Sequence, residues 1–165
     1  MSYQKRLCCS LFSLLGGIVA AGCGSSSNLT PVNLMVRTVE DTVVLQHRPN
    51  GVYFNVTAIV RNDDTRPLEV EMCPTPAQRE ISGVWTTVFT PNCISSGMTP
   101  LSAGDSVIVP VLVFGYTTPN TYPLLDPRMG PGRYRVVFGV FLGNPLGPTG
   151  TAVGQGKGSI PFIVK

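Results

Sequence analysis

One histidine and nine carboxylates are what this chain offers for proton transfer or metal binding. To act as a base, His47 would need a hydroxyl, thiol or carboxylate within hydrogen-bond reach. It stands directly before the turn signal Arg48-Pro49-Asn50-Gly51, where a histidine is ordinarily a solvated surface group. Asp63-Asp64, Glu69 and Glu71 could supply oxygen ligands, but the first pair lies in a turn and the second alternates along one strand face. No loop of converging oxygens results. The sequence contains no GxSxG, HExxH or phosphate-cradling glycine loop. Neither Cys73 nor Cys93 belongs to a CxxC pair, and with His47 the only imidazole a zinc site lacks ligands. The expectation is a protein that is not an enzyme, with no cofactor and no metal.

Elements that would position any site read as short strands. Beyond Val32, β-branched and aromatic residues come in runs separated by turn clusters, and no helix-length stretch is free of breakers. Asn33 to Thr38 and Thr42 to Gln46 read as two strands, or as one interrupted at Glu40-Asp41. Val52 to Arg61 alternates most cleanly, with Phe54, Val56, Ala58 and Val60 on one face. Leu68, Val70 and Met72 form the buried side of the next strand, and residues 74–83 read as a loop. Val84 to Phe89 is a strand carrying the single tryptophan, Trp85. Ser106 to Phe114 is apolar on both faces, which predicts a central strand, although Pro110 implies a bulge or a free edge. Gly132 to Leu142 restores alternation, residues 143–158 read as a mobile loop, and Ser159 to Val164 closes the chain.

The first 23 residues have the charged, apolar and small-residue order of an export signal: Lys5-Arg6, then Leu7 to Ala21, then Gly22-Cys23. The apolar run is shorter than the ~20 residues that span hydrocarbon as a helix. Val19-Ala20-Ala21-Gly22-Cys23 resembles the lipobox of bacterial lipoproteins, in which the cysteine thiol is acylated and the peptide is cut before it. Ala20 stands where family members favour leucine. The resemblance implies a signal peptide over residues 1–22, a lipid on Cys23, a polar flexible tether through residue 31 and a domain over residues 32–165. Ordinary signal cleavage and an uncleaved anchor are the alternatives. Gly24, where enteric-type sorting places aspartate to retain a lipoprotein at the inner membrane, implies the outer membrane.

That resemblance sorts the five cysteines. Cys8 and Cys9 leave with the signal, Cys23 takes the lipid, and Cys73 and Cys93 remain as a pair. In an oxidising compartment the pair forms a disulfide, stabilising the fold by roughly 3 kcal/mol. The mature part keeps ten basic and nine acidic residues, a balance that gives no reason to expect a nucleic-acid partner. Charged residues make up 13% of the chain, about half the usual share, as suits an extracytoplasmic β-protein.

Seven or eight strands without a helix predict an all-β, antiparallel sandwich. Pro131-Gly132-Arg133-Tyr134-Arg135-Val136 resembles the tyrosine corner of immunoglobulin-like domains, which assigns Tyr134 a structural role. The order FNVTAIVRND, Cys73, GVWTTV, Cys93, LSAGDS and GRYRVVFGV is similar to secreted bacterial Ig-like domains of largely unknown role, some of them called proteinase-inhibitor-like. Residues 116–131 carry Tyr116, Tyr122, Leu124, Leu125 and Met129, much apolar surface for a connection. They either meet a partner or fold back to cap the sandwich. The expected function is a lipid-anchored binding or structural module of the bacterial envelope, attached to the membrane through Cys23 and meeting an envelope protein. The rival expectation is a proteinase inhibitor acting through the extended loop.

Overall fold

Strict alternation of apolar and polar residues builds the centre of each sheet. The computed structural model describes residues 31–73, 75–94, 97–142 and 153–165. Its strands are β1 (Leu34–Thr38), β2 (Thr42–Val43), β3 (Gln46–Arg48), β4 (Gly51–Asn62), β5 (Leu68–Glu71), β6 (Ala77–Ile81), β7 (Val84–Phe89), β8 (Met98–Leu101), β9 (Ser106–Tyr116), β10 (Gly132–Leu142), β11 (Val153–Gly158) and β12 (Phe162–Val164). No helix occurs among the described residues.

The first sheet is organised on β4. Along one side it pairs antiparallel with β9, from Gly51 opposite Tyr116 to Arg61 opposite Ser106. Along the other side it pairs with β1 and β3. The second sheet is organised on β10, whose two edges are each covered by an interrupted strand. On one edge, β5 pairs with Gly139–Leu142 and β6 with Tyr134–Val136. On the other, β11 pairs with Val137–Leu142 and β12 with Gly132–Tyr134. β8 lies beside β5, β7 beside β6, and β2 runs parallel to β12. Joined across their interruptions, the segments make seven strand rows plus the short β3, an Ig-like sandwich that is antiparallel except where β2 meets β12.

Each interruption has its own repair. Where β11 gives way to β12 the register slips by one residue, a bulge that would leave the Val136 N–H without a ladder partner. The Ser159 hydroxyl accepts it at 3.2 Å, and the Ser159 N–H donates to the Val136 carbonyl at 2.8 Å. Where the first strand row leaves β4 to join β12, the Glu40 carboxylate accepts the Thr57 N–H at 2.8 Å and the Thr57 hydroxyl at 3.1 Å. A side chain thus continues the ladder that the backbone abandons. Burial alone would raise the Glu40 pKa, but these hydrogen bonds to the carboxylate outweigh it and hold the group below its ordinary value. At one end, buried Asn62 donates to the carbonyls of Arg66 and Leu101 and accepts the Asp64 N–H.

Between the sheets, Phe54 meets Tyr134 edge-on at 5.3 Å and Phe162 at 6.1 Å. Val56, Ala58, Val60, Val70, Val113, Val136, Phe138 and Val140 fill the layer around them, each at most 2% exposed. Such rings and branched chains hold the two sheets together through buried apolar area and edge-to-face contact.

Several expectations change. Residues 74–83 are not a loop throughout: β6 and β7 form a hairpin across Ser82 and Gly83, whose φ values of 50° and 80° are the positive pair of a tight two-residue turn. The stretch Thr42 to Gln46 is divided between β2 and β3. β8 was not foreseen. Of residues 143–158, the last six form β11, and residues 143–152 lie outside the described residues. β9 is an edge strand rather than a central one, as one of the two implications of Pro110 required. The Thr57 carbonyl faces β1, where it accepts the Val39 N–H. Its opposite number Pro110 therefore directs its N–H-less nitrogen to the free side.

Candidate binding surface

The cysteines come first. Cys73 and Cys93 form a disulfide, with their Cα atoms 5.9 Å apart. Cys73 lies in the interruption between β5 and β6, and Cys93 in the connection from β7 to β8. The bridge therefore joins two neighbouring rows at the point where both lose their ladder. Cys23, the signal peptide and most of the tether lie outside the described residues.

The polar candidates do not converge. His47 is exposed on β3 opposite Val52. Asp63 pairs with Arg61 at 2.6 Å and Asp64 with Arg66 at 2.7 Å. The Arg66 guanidinium, with the Asn33 N–H, holds the Asp64 carboxyl well below the usual carboxylate range. Glu69 and Glu71 sit on β5, in the other sheet. No cluster of three or more metal-ligating groups occurs among the described residues.

Tyr134 is fully buried, and its hydroxyl donates to the Gly130 carbonyl at 2.7 Å while accepting the Gly130 N–H at 3.0 Å. Burial pushes its pKa up, partly offset by the bond to Gly130. Both polar groups of one turn residue are satisfied by one side chain.

The loop residues divide. Met129 is buried and Leu125 packs on the core, where it closes over Gly115. Tyr122 and Leu124 stay exposed, at 61% and 59%. The loop is nonetheless tied down. Tyr116 donates to the Pro123 carbonyl at 3.0 Å and accepts the Leu125 N–H at 2.8 Å, a parallel bridge that sets Leu124 beside Tyr116. Arg128 is held by Asp126 at 2.6 Å, which lowers the Asp126 pKa, and reaches the Thr87 carbonyl at 3.4 Å. Arg79 donates to the carbonyls of Arg128 and Pro131.

Because bridge partners share a face of a sheet, Leu124 extends a stripe that the loop residues by themselves do not reveal. Val111, Val113 and Gly115 of β9 are buried, so Ile108, Pro110 and Leu112 point outward, and Phe114 and Tyr116 lie on the same side half-buried, Phe114 packing on the core with Phe89 5.5 Å away. Ile108 is 66% and Leu112 49% exposed. Ile59 stands opposite Ile108 and Tyr53 opposite Phe114, and Met35 shares this face from β1. Val39, just past β1, is 55% exposed. The Phe114 ring meets Tyr116 edge-on at 5.5 Å. Arg48 lays its guanidinium 4.5 Å above the Tyr53 ring and donates to the Tyr53 hydroxyl at 3.0 Å. A shallow groove of about 400 Å³ runs here, between Arg48, Asn50, Tyr53, Asn55, Leu112 and Tyr116. None of its lining residues is acidic.

This surface can bury apolar area and accept a negative charge; nothing in it activates a nucleophile. Sequence reading missed it because it took the outward half of β9 as a second buried face. The usable signal was Pro110, which confines such a strand to an edge.

No protein-family model matches the chain, and no curated protein matches its sequence. Among solved structures, an alkylpurine DNA glycosylase of Pseudomonas fluorescens is similar at a TM-score of 0.38 and 12% identity, over 82% of this chain and 31% of its own. A β-glucosidase of Erythrobacter marinus gives 0.37 and 13%, over 81% of this chain and 16% of its own. A PapD-like domain of human CEP192 gives 0.35 and 12%, over 96% of both chains. This chain thus spans less than a third of the glycosylase and of the glucosidase. At such distance none of these bears on activity.

Proposed function

We propose that the protein is a lipid-anchored, extracytoplasmic module of the bacterial envelope, fastened through Cys23, that works by binding through the outer face of its first sheet. The observation that carries the binding role is the row Ile108, Pro110, Leu112, Phe114 and Tyr116, continued by Leu124. Of these, Ile108, Leu112 and Leu124 are about half exposed or more, on or beside a strand whose other face fills the core, and such an apolar patch is a surface with a partner. The anchor is supported by Lys5-Arg6, the apolar run and the Ala20-Ala21-Gly22-Cys23 junction. Two or more acyl chains there give stable attachment without a spanning helix, and Gly24 favours the outer membrane. Among the described residues no helix is long and apolar enough to cross a membrane.

Mass spectrometry of the mature chain, with fractionation, tests the anchor. An acylated residue 23 is expected at the new N-terminus, and Cys23→Ser should move the chain into the soluble fraction. A start site elsewhere, or an unmodified residue 23, overturns it.

A second reading, a proteinase-inhibitor-like domain, is favoured by one feature. Tyr122 and Leu124 are presented on a backbone held at Tyr116 and Arg128, so binding there costs little ordering entropy. Slow cleavage between residues 117 and 131 in a tight complex with a protease would favour that reading over the first.

A further inference from the structure

We infer that the partner of this outer face is the anionic lipid leaflet itself: β1, β4 and β9 lie down on the membrane that holds the anchor. The inference rests on lipidation of Cys23 and names what the face binds.

Three observations carry it. The first is reach. Eight residues, Gly24 to Pro31, separate the acylated cysteine from Val32, and at about 3.3–3.6 Å per residue they place Val32 no farther than about 30 Å from the lipid. The eleven residues of β9 extend roughly 35 Å, so the domain is never more than its own length from the leaflet. Its first strand, β1, belongs to the sheet whose face is apolar, so the chain enters the domain beside that face.

The second is the chemistry of the face. Val39, Ile108, Leu112 and Leu124 are large, apolar and about half exposed or more. Tyr53 and Tyr116 add rings with polar tips, which suit the boundary between headgroups and acyl chains.

The third is the charge left over. The charged groups on or at the rim of this face are Arg37, Arg48, Arg61, Glu40, Asp63 and, just before β9, Asp105. Asp63 is paired with Arg61, whereas Glu40, hydrogen-bonded to the neutral Thr57, keeps its charge at the far rim. Arg37 and Arg48 form no ion pair among the described residues. Along the groove beside Tyr53 the free charge is positive, because Arg48 lines it and no acidic residue does, and anionic headgroups complement it there. The outer face of the second sheet differs: it presents Glu69, Glu71 and a Glu80–Arg133 ion pair of 2.6 Å, and its Arg135 is bonded to Gln78 and stacked on Trp85.

The test uses the mature acylated chain in vesicles of phosphatidylcholine with or without phosphatidylglycerol. With Cys23 acylated and Cys73 bonded to Cys93, a cysteine introduced by Leu112→Cys is the one free thiol, and Ile108→Cys is a second site should the first misfold. Glu69→Cys marks the opposite face. Each carries an environment-sensitive fluorophore, and lipids with a nitroxide near the headgroup act as quencher. Several-fold stronger quenching at 112 and 108 than at 69 is expected, larger with phosphatidylglycerol and reduced by Arg37→Gln with Arg48→Gln. Equal quenching of the two faces in a chain that floats with the vesicles overturns the inference while leaving the anchor standing. Shielding of 112 in intact envelopes but not on vesicles also overturns it, and assigns the face to a protein. A chain that carries no acyl mass and does not float overturns the anchor and this inference together.

Discussion

The two outer faces of the sandwich solve the same problem in opposite ways. On the second sheet, outward side chains answer one another. Arg133 pairs with Glu80, Arg135 donates to Gln78 at 2.7 Å, and the Arg135 guanidinium lies 4.6 Å over the Trp85 ring. On the first sheet, Ile108, Leu112 and Leu124 face outward with no such answer. One face is complete in water, and the other is the one on which the proposed binding rests. A face whose side chains satisfy one another serves the fold; on the first sheet Arg48 has such a partner in Tyr53, and the apolar row beside it has none.

The largest expected effect tests whether the second sheet owes its order to a covalent tie. Cys93→Ser opens the bridge between the two interrupted rows, and a loss of roughly 3 kcal/mol is expected for a closed loop of this length. Thermal or urea unfolding reads it. An unchanged transition would mean that the rows hold by ladder and packing alone, and the contrast between the faces would lose its structural half.

Next comes Tyr134→Phe. The ring stays against Phe54, but the Gly130 N–H and carbonyl both lose their partner. Leaving polar groups unpaired costs about 1–3 kcal/mol where they are fully buried, and Gly130 is only half-buried, so a smaller loss than for the disulfide is expected, with the fold retained. A loss below measurement would show that water reaches that turn.

How far these features were legible from the chain depended on how each residue signals its partner. β4 and β10 were readable because every second side chain enters the core, so the pattern in sequence is the pattern in space. The Ser82-Gly83 turn was hidden because Gln78, Arg79 and Glu80 mask β6 with polar residues. Those residues are outward partners of Arg135 and Arg133 or ties to the loop, not evidence of a loop. β11 pairs with β10 through its backbone, and a sequence such as Val-Gly-Gln-Gly-Lys-Gly carries no side-chain record of that ladder. β9 misled in the most useful way. Its double apolar pattern was correct as chemistry and wrong as burial, since side-chain type cannot say whether the second face meets protein. Only the pairing of β4 with β9, and Leu124 bridging to Tyr116, gathers the exposed side chains into one surface.

A weaker effect is expected at the ring under Arg135. Removing that cation with Arg135→Ala gives up one cation–π contact and one hydrogen bond at a half-exposed site. The contact is worth about 0.5–1 kcal/mol in such a setting. A loss comparable to that at Tyr134 would show that the face is held more tightly than its exposure implies.

Smallest of all should be the stability change in Leu112→Ser or Ile108→Ser. Each removes an apolar side chain that is about half exposed or more, so only the smaller part of its surface is buried on folding, and a loss of no more than about 1 kcal/mol is expected. The same substitutions on the second sheet's inward side, such as Val140→Ser, would remove a fully buried group and belong to another scale. A large destabilisation from Leu112→Ser would mean that this residue is part of the core's closure over β4, which would return the stripe to the fold. A null effect on melting together with weakened membrane association separates the two roles, because the same side chain then contributes nothing to folding and something to binding.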